Sequence, residues 1–164
     1  MPPPRMRAYL AGAIEYAPDG GVAWRREMAA FLSGTLGHTV HDPSALAKEH
    51  LSAEELENFR HWKTADFPRF QETVRKIIRH DLQLVLEHSD YLVCRWCEGT
   101  RIGGGTHGEL TLAYWHQIPV YLMCEIPVAD VSSWILGCAT HVYTSWDELR
   151  AALAARYRRD DPRP

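Results

Sequence analysis

The segment with the clearest chemical potential is a glycine run followed by a glutamate. Gly103, Gly104 and Gly105 lie between an expected strand and an expected helix, and Thr106 and Glu109 follow them. Glycines let a phosphate or a sugar approach the main chain, and N–H groups at a helix N-terminus attract anions. In the first turn of that helix, the dipole would hold Glu109 ionised as a carboxylate nucleophile. The alternative is a flexible turn with a glutamate that only stabilises its helix.

A second carboxylate, Asp81, is expected on the helix before the preceding strand. It follows Ile77 and Ile78 by one turn, so it lies beside the apolar stripe that should pack against the sheet. A carboxylate near a buried surface costs desolvation energy unless it has a partner or a function. Two carboxylates in unlike environments can divide the chemistry, one attacking and the other donating a proton. Asp81 and Glu109 are therefore the candidate acid and nucleophile.

Strands and helices that alternate along the chain must position these residues. Short apolar runs predict five strands, at 7–12, 38–41, 91–95, 119–124 and 141–143. Helices are expected at 22–36, at 52–87 with a break at Pro68, at 106–117 and at 146–159. This order predicts a three-layer α/β fold of Rossmann or flavodoxin type, with a five-stranded parallel sheet between helices. The glycine run would then lie at the carboxyl edge of the sheet, where ligands bind.

Length and composition limit the classes of protein. The 164 residues, 46% hydrophobic and 24% charged, predict a single domain at 6–159 with flexible tails at 1–5 and 160–164. A net charge of −3 argues against a binder of duplex nucleic acid, which needs excess positive charge. The apolar runs are too short to cross a membrane, and the first residues leave no room for a signal peptide. We therefore expect a cytoplasmic protein.

Cys94 and Cys97 have the C-x-x-C spacing that can bind zinc or support redox chemistry. A zinc site usually needs a second ligand pair, and the sequence has no second pair at similar spacing. Cys94 also lies inside an expected strand, which favours a small buried core residue. Neither a metal nor a cofactor is expected.

Three segments, in this order, carry a resemblance to a known family: Tyr9-Leu10-Ala11-Gly12, His80-Asp81-Leu82 with Ser89-Asp90 downstream, and Gly105-Thr106-His107-Gly108-Glu109-Leu110. They resemble the nucleoside 2-deoxyribosyltransferase superfamily, which includes the 2-deoxynucleoside 5-monophosphate N-hydrolases. The resemblance covers the chain from Tyr9 to about Leu153. It implies the same five-stranded parallel fold and an enzyme that cleaves the N-glycosidic bond of a nucleoside or nucleotide.

The resemblance also implies roles for individual residues. Glu109 matches the nucleophile that attacks C1′ and holds the sugar as a covalent glycosyl ester. Asp81 matches the aspartate that helps protonate the departing base, and Tyr9 matches a tyrosine that positions the nucleophile. Gly12, at the end of the first motif, is expected to contact substrate. Family members form dimers, so we expect a homo-oligomer in which Ser132 reaches the neighbouring subunit's site and touches a 5′-phosphate.

The loop before the nucleophile departs from both branches of the superfamily. Transferases carry an aspartate six residues before the nucleophile and monophosphate hydrolases carry a serine, whereas this chain has Gly103. The glycine main chain, the Thr106 hydroxyl and the Arg101 guanidinium would nevertheless suit a phosphate. We therefore expect a substrate with a 5′-phosphate, while water and a second base remain open as acceptors.

Other interpretations stay open at this point. The chain could be a non-catalytic nucleotide-binding or sensing module on the same fold, although a binder has no need of both carboxylates. Gly105-Thr106 with Glu109 is also similar to the G-T-x-x-E of phosphoribohydrolases that release cytokinin bases. The aromatic stretch at 58–70 is either a lid over the site or packing of a helix on the sheet. The apolar segment at 131–136 is expected to be a partner surface between the fourth and fifth strands.

Overall fold

The molecule is built around a five-stranded, all-parallel β-sheet. The computed structural model describes residues 5–157, so the tails predicted at 1–5 and 160–164 lie outside it apart from Arg5. The strands are β1 Arg7–Gly12, β2 Thr39–His41, β3 Tyr91–Trp96, β4 Val120–Cys124 and β5 His141–Tyr143. They pair in the order β2-β1-β3-β4-β5, which is the flavodoxin-like order. The predicted α/β fold with a parallel five-stranded sheet is confirmed.

Eight α-helices are described in this part of the chain. They are α1 Val22–Leu36, α2 Pro43–Leu46, α3 Ala53–Ala65, α4 Phe67–His88, α5 Glu98–Ile102, α6 Gly105–Trp115, α7 Ser133–Cys138 and α8 Trp146–Tyr157, with 3₁₀ turns at Ala47–Glu49 and Val128–Asp130. Within residues 5–157, no helix is both long enough and apolar enough to cross a bilayer.

Alternation along β1 separates two hydrophobic cores, because successive side chains of a strand point to opposite faces. Ala8 and Leu10 pack with α1 and α8 on one face of the sheet. Tyr9 and Ala11 pack on the other face, with α4, α6 and α7. Tyr9 therefore points into the layer that also contains the helices of Asp81 and Glu109.

Capping side chains explain where the long helical region divides. Ser52 and Glu55 form a capping box at the start of α3. Asp66 accepts a hydrogen bond from the Arg69 N–H at the start of α4, where Pro68 occupies the first turn and needs no N–H partner. The predicted break at Pro68 is confirmed, and α4 begins one residue before the proline.

Two predicted loops contain short helices, which corrects the sequence interpretation. The loop predicted before the nucleophile contains α5, which occupies residues Glu98–Ile102. The Thr100 hydroxyl donates to the Arg95 carbonyl at 2.9 Å and so holds this turn against the end of β3. The connection at 131–136 contains the start of α7, whose Ile135 N–H donates to the Ser132 hydroxyl. Side-chain capping at these positions outweighs the loop-like composition.

Candidate active site

A cavity of about 710 Å³ opens at the carboxyl edge of the sheet. The strand order reverses between β1 and β3, and such switch points are where ligands bind in open α/β sheets. The volume lies within the usual range for ligand pockets. Most of its lining comes from the β1–α1 connection, α3, α4 and the start of α6.

Glu109 lies on the cavity side of α6 and is only 8% exposed. The Tyr9 hydroxyl donates a hydrogen bond of 2.6 Å to its Oε1 atom. Tyr9 is fully buried at the base of the site, and burial raises its pKa well above the ordinary range. The phenol therefore stays protonated and remains a donor toward Glu109.

The structure corrects the position predicted for Glu109 in its helix. The residue was expected in the first turn, ionised by the helix dipole, but α6 begins at Gly105 and its first turn contains no acidic residue. Burial instead raises the pKa of Glu109 to about 7. The Tyr9 hydrogen bond and the positive charge of Arg25 oppose this rise, and the negative charge of Asp81 adds to it. Desolvation outweighs the dipole because the carboxyl lies beyond the first turn.

Asp81 faces the same cavity from α4. Burial raises the pKa of its carboxyl, while the neighbouring His80 opposes the rise through an Nδ1–Oδ1 contact of 3.3 Å. Two carboxylates in one poorly solvated cavity resist being ionised together. The pair with Glu109 therefore favours a state with one proton between the two carboxyls, as an acid and a nucleophile require.

Arg25, which the sequence analysis missed, is a buried cation beneath this site. From α1 its guanidinium donates to the carbonyl oxygens of Leu10, Gly12, Ala13 and Gly21, at 3.1, 2.8, 3.3 and 3.0 Å respectively. It thereby fixes the end of β1 and the connection to α1, which forms one wall of the cavity. Its charge also lowers the pKa values of Glu109 and Asp81.

The structure places most of the predicted substrate-binding residues on the cavity. Gly12 has a φ of +153°, and a Cβ there would lie 3.1 Å from the Trp24 ring, so this close turn needs glycine. Gly103, Gly104, Gly105 and Thr106 line the cavity as well.

Arg101 and Ser132 lie elsewhere. The Arg101 guanidinium is 55% exposed and pairs with Glu98 at 2.7 Å, one helical turn away, and Arg101 is not among the residues that line the cavity. Ser132 is not among them either; it caps α7 on the surface of the molecule. The structure therefore leaves the main chain at the start of α6 and the Thr106 hydroxyl as the predicted phosphate-binding groups on this cavity.

The aromatic stretch at 58–70 divides between the two interpretations of lid and packing. Phe59 and Phe70 line the cavity. Trp62 is buried, with the Arg69 guanidinium 3.8 Å from its ring centroid. One part of the stretch thus faces the candidate ligand and the other holds α3 against α4.

A stacked histidine pair adjoins Asp81. The rings of His50 and His80 have centroids 3.9 Å apart, and His50 lines the cavity. Burial and the neighbouring His80 lower the pKa of His50. The only sequence signal for this arrangement is that His80 precedes Asp81 in the motif.

The four cysteines at 94, 97, 124 and 138 are free thiols, and Cys94 is completely buried, as predicted for a core residue. In the described part of the chain, no group of three or more His, Cys, Asp or Glu side chains is placed to hold a metal ion.

Comparison with known proteins supports the fold. No protein-family model and no curated protein matches the chain. Among solved structures, the fold is similar to that of a 2-deoxyribosyltransferase from the psychrotolerant bacterium Bacillus psychrosaccharolyticus, described as a biocatalyst for the synthesis of antiviral and antitumoral nucleosides. The TM-score is 0.56 with 18% sequence identity, over 88% of this chain and 90% of the other. At this identity the likeness concerns the fold alone.

Proposed function

We propose that this protein cleaves the N-glycosidic bond of a nucleoside or nucleoside 5′-monophosphate by double displacement at Glu109. One observation carries the proposal: the Tyr9 hydroxyl holds Glu109 at 2.6 Å in a cavity that Asp81 also lines. Retaining glycosidases likewise use two carboxyl groups that flank the glycosidic bond, one as the nucleophile and one as the acid and base. The similar fold of a 2-deoxyribosyltransferase supports this choice.

In the first step the Glu109 carboxylate attacks C1′ and forms a glycosyl ester. The bond from C1′ to the base nitrogen breaks, and its electron pair remains on the base, which takes the proton of Asp81. In the second step the oxygen of water, or a ring nitrogen of another base, attacks C1′, and the proton that this atom carries passes to Asp81. Glu109 leaves as a carboxylate, and both side chains return to their starting forms.

The remaining residues would bind and orient the substrate. Tyr9 favours the ionised form of Glu109, and Arg25 fixes the β1–α1 connection and supplies a positive charge to the pair. The glycines at the start of α6 leave room for the sugar or its 5′-phosphate against main-chain N–H groups.

We also propose that the chain is a homo-oligomer. Trp134 on α7 is 67% exposed, and its indole N–H donates to the Thr111 hydroxyl of α6. Tyr114 and Trp115, also on α6, are exposed as well. Exposed aromatic surface of this kind on adjacent helices is typical of association sites. Ser132, next to Trp134, would then be carried toward a second copy.

Base release from a panel of nucleosides and their 5′-monophosphates tests the enzymatic proposal. Free base is separated by chromatography, with and without an added acceptor base to distinguish transfer from hydrolysis. The Glu109→Gln variant should lose several orders of magnitude in turnover, because the amide cannot form the ester. Near-normal release by that variant would contradict the assignment of the nucleophile. Comparison of kcat/KM within each pair tests whether the 5′-phosphate contributes.

A further inference from the structure

The apolar stripe of α4 has two different environments. Val85, near the C-terminal end, is fully buried against the sheet. Val74, Ile77 and Ile78, in the N-terminal half, line the open cavity, and Ile78 is 49% exposed. The sequence pattern predicts a stripe that packs on the sheet along its whole length. About half of it instead forms an apolar wall of the open cavity.

This wall is continuous with Asp81. Positions 70, 74, 77 and 81 follow the three- and four-residue spacing of one helix face, so Phe70, Val74, Ile77 and Asp81 share a stripe. At 1.5 Å per residue the stripe is about 16 Å long, with the carboxyl at one end. A base that takes its proton from Asp81 would begin at that end. Two further helical turns of apolar surface lie beyond it.

The facing wall has the same character. Leu56 and Phe59 of α3, together with Leu51 before it, line the cavity opposite α4. Arg60, which lies over the Phe59 ring, is the one Lys or Arg side chain among the residues that line the cavity. Apart from Arg60, the residues of α3 and of positions 70–78 on α4 that line the cavity are apolar, so this end suits an apolar group. This apolar end of the cavity extends beyond the area that an unsubstituted base beside Asp81 would cover.

We propose that the preferred substrate has a base with an apolar substituent distal to the glycosidic bond, held between Phe59 on α3 and Phe70 and Val74 on α4. The proposal rests on the function proposed above, because that function places the base beside Asp81. Removing apolar surface from water is favourable on both sides of the contact, so the substituent adds affinity that an unsubstituted base lacks. Specificity comes from this apolar contact and chemistry from the carboxylates.

The test compares the binding of matched nucleosides to the Glu109→Gln variant by calorimetry. The pairs are N6-benzyl-2′-deoxyadenosine with 2′-deoxyadenosine and N4-benzyl-2′-deoxycytidine with 2′-deoxycytidine, each also as the 5′-monophosphate. In at least one pair the benzyl compound should bind at least tenfold more tightly, a conservative figure for burying one aromatic ring. Equal affinities, or weaker binding of the benzyl compounds, would overturn the proposal.

Substitutions in the apolar wall test where the benzyl group binds. Adding Phe70→Ala or Val74→Thr should bring the ratio of the two dissociation constants toward one, whereas Val142→Ala, at an exposed position of β5 outside the cavity, should leave it unchanged. If the wall variants instead alter the oligomeric state by light scattering and leave the ratio unchanged, a second copy covers the wall and the proposal is wrong. Base release by the unmodified protein is measured separately. If no base is released although the benzyl compounds bind more tightly, the proposed reaction is rejected and the binding preference is established.

Discussion

Glu109 combines two properties that oppose each other, because a nucleophile must be ionised and a buried carboxyl resists ionisation. Burial raises its pKa to about 7, while the Tyr9 hydrogen bond and the Arg25 charge limit the rise. If Glu109 must be ionised to attack, base release should decline as pH falls below about 7. The residues behind the carboxylate therefore set the working pH range of the site.

Replacing Tyr9 with Phe should move the acidic limb of the kcat/KM profile to higher pH by about one pH unit, because a hydrogen bond to the charged form is lost. Activity should fall more at pH 6 than at pH 8.5. Tyr121→Phe is the matched control, since it removes a buried hydroxyl that bonds to Tyr157 on the other face of the sheet. An acidic limb at the same pH in Tyr9→Phe would show that the phenol does not tune the nucleophile.

Burial of the Glu109 carboxyl also lowers the free energy of unfolding when the carboxyl is ionised. Its folded pKa of about 7 exceeds the ordinary 4.5, so the free energy of unfolding should decrease as pH rises between these values. The Glu109→Gln variant removes this loss. Its gain in the free energy of unfolding over the unmodified protein should be larger at pH 8 than at pH 5, by on the order of 2 kcal/mol. Thermal unfolding of both proteins at the two pH values measures the difference. A gain independent of pH would mean that the carboxyl ionises freely in the fold.

Sequence reasoning finds Tyr9, Asp81 and Glu109 because motifs and spacing mark them. Arg25 has no motif. Its one signal is a cation on the apolar face of α1 with Met28 and Leu32, three and seven positions later. A long arginine at such a position usually extends to solvent, and only the fold shows the carbonyl oxygens that converge on it.

At the scale of elements, the β1–α1 connection depends on one side chain. Arg25 is the donor for four carbonyl oxygens, two of them in β1 and two in the connection to α1. The planar guanidinium can serve them together, whereas an ammonium group has fewer donors and a different geometry.

Arg25→Lys should therefore lower the free energy of unfolding by about 2 kcal/mol or more, because buried carbonyl groups lose their donors. Turnover should fall as well, since Gly12 and its neighbours would shift at the cavity wall. Urea unfolding and base release are measured beside Arg26→Lys, an exposed position next to it. Wild-type stability in Arg25→Lys would contradict the anchoring role.

Strands and helices with a clear hydrophobic pattern can be predicted from the sequence, whereas the short capped helices cannot. The apolar runs of β1, β3 and β4 and the spacing in α1 predict their elements to within one or two residues. The short helices α5 and α7 depend on single side-chain contacts, from Thr100 and Ser132, that composition does not reveal. The position of the α4 stripe was predictable, but its use as a cavity wall depends on where α3 lies.

For the whole molecule, the exposed aromatic surface of α6 and α7 predicts self-association. The unmodified protein should be a dimer or larger at micromolar concentration by light scattering, and Trp134→Glu should shift it toward the monomer because a charge is costly in an apolar contact. Phe67→Glu is the control, since Phe67 is also exposed but begins α4 elsewhere on the surface. A monomeric unmodified protein would reject this surface as an interface.

Helix α3 packs against α4 on one side and borders the cavity on the other, which has a consequence for its motion. Trp62 is the one buried residue of this helix, and the cavity lies beside Leu56 and Phe59. Few buried contacts mean a low free energy of local opening. Amide hydrogens of α3 should exchange with deuterium much faster than those of β1 and β3, and a bound nucleoside should slow α3 selectively. Hydrogen–deuterium exchange followed by mass spectrometry would then detect ligand binding as the ordering of this one helix.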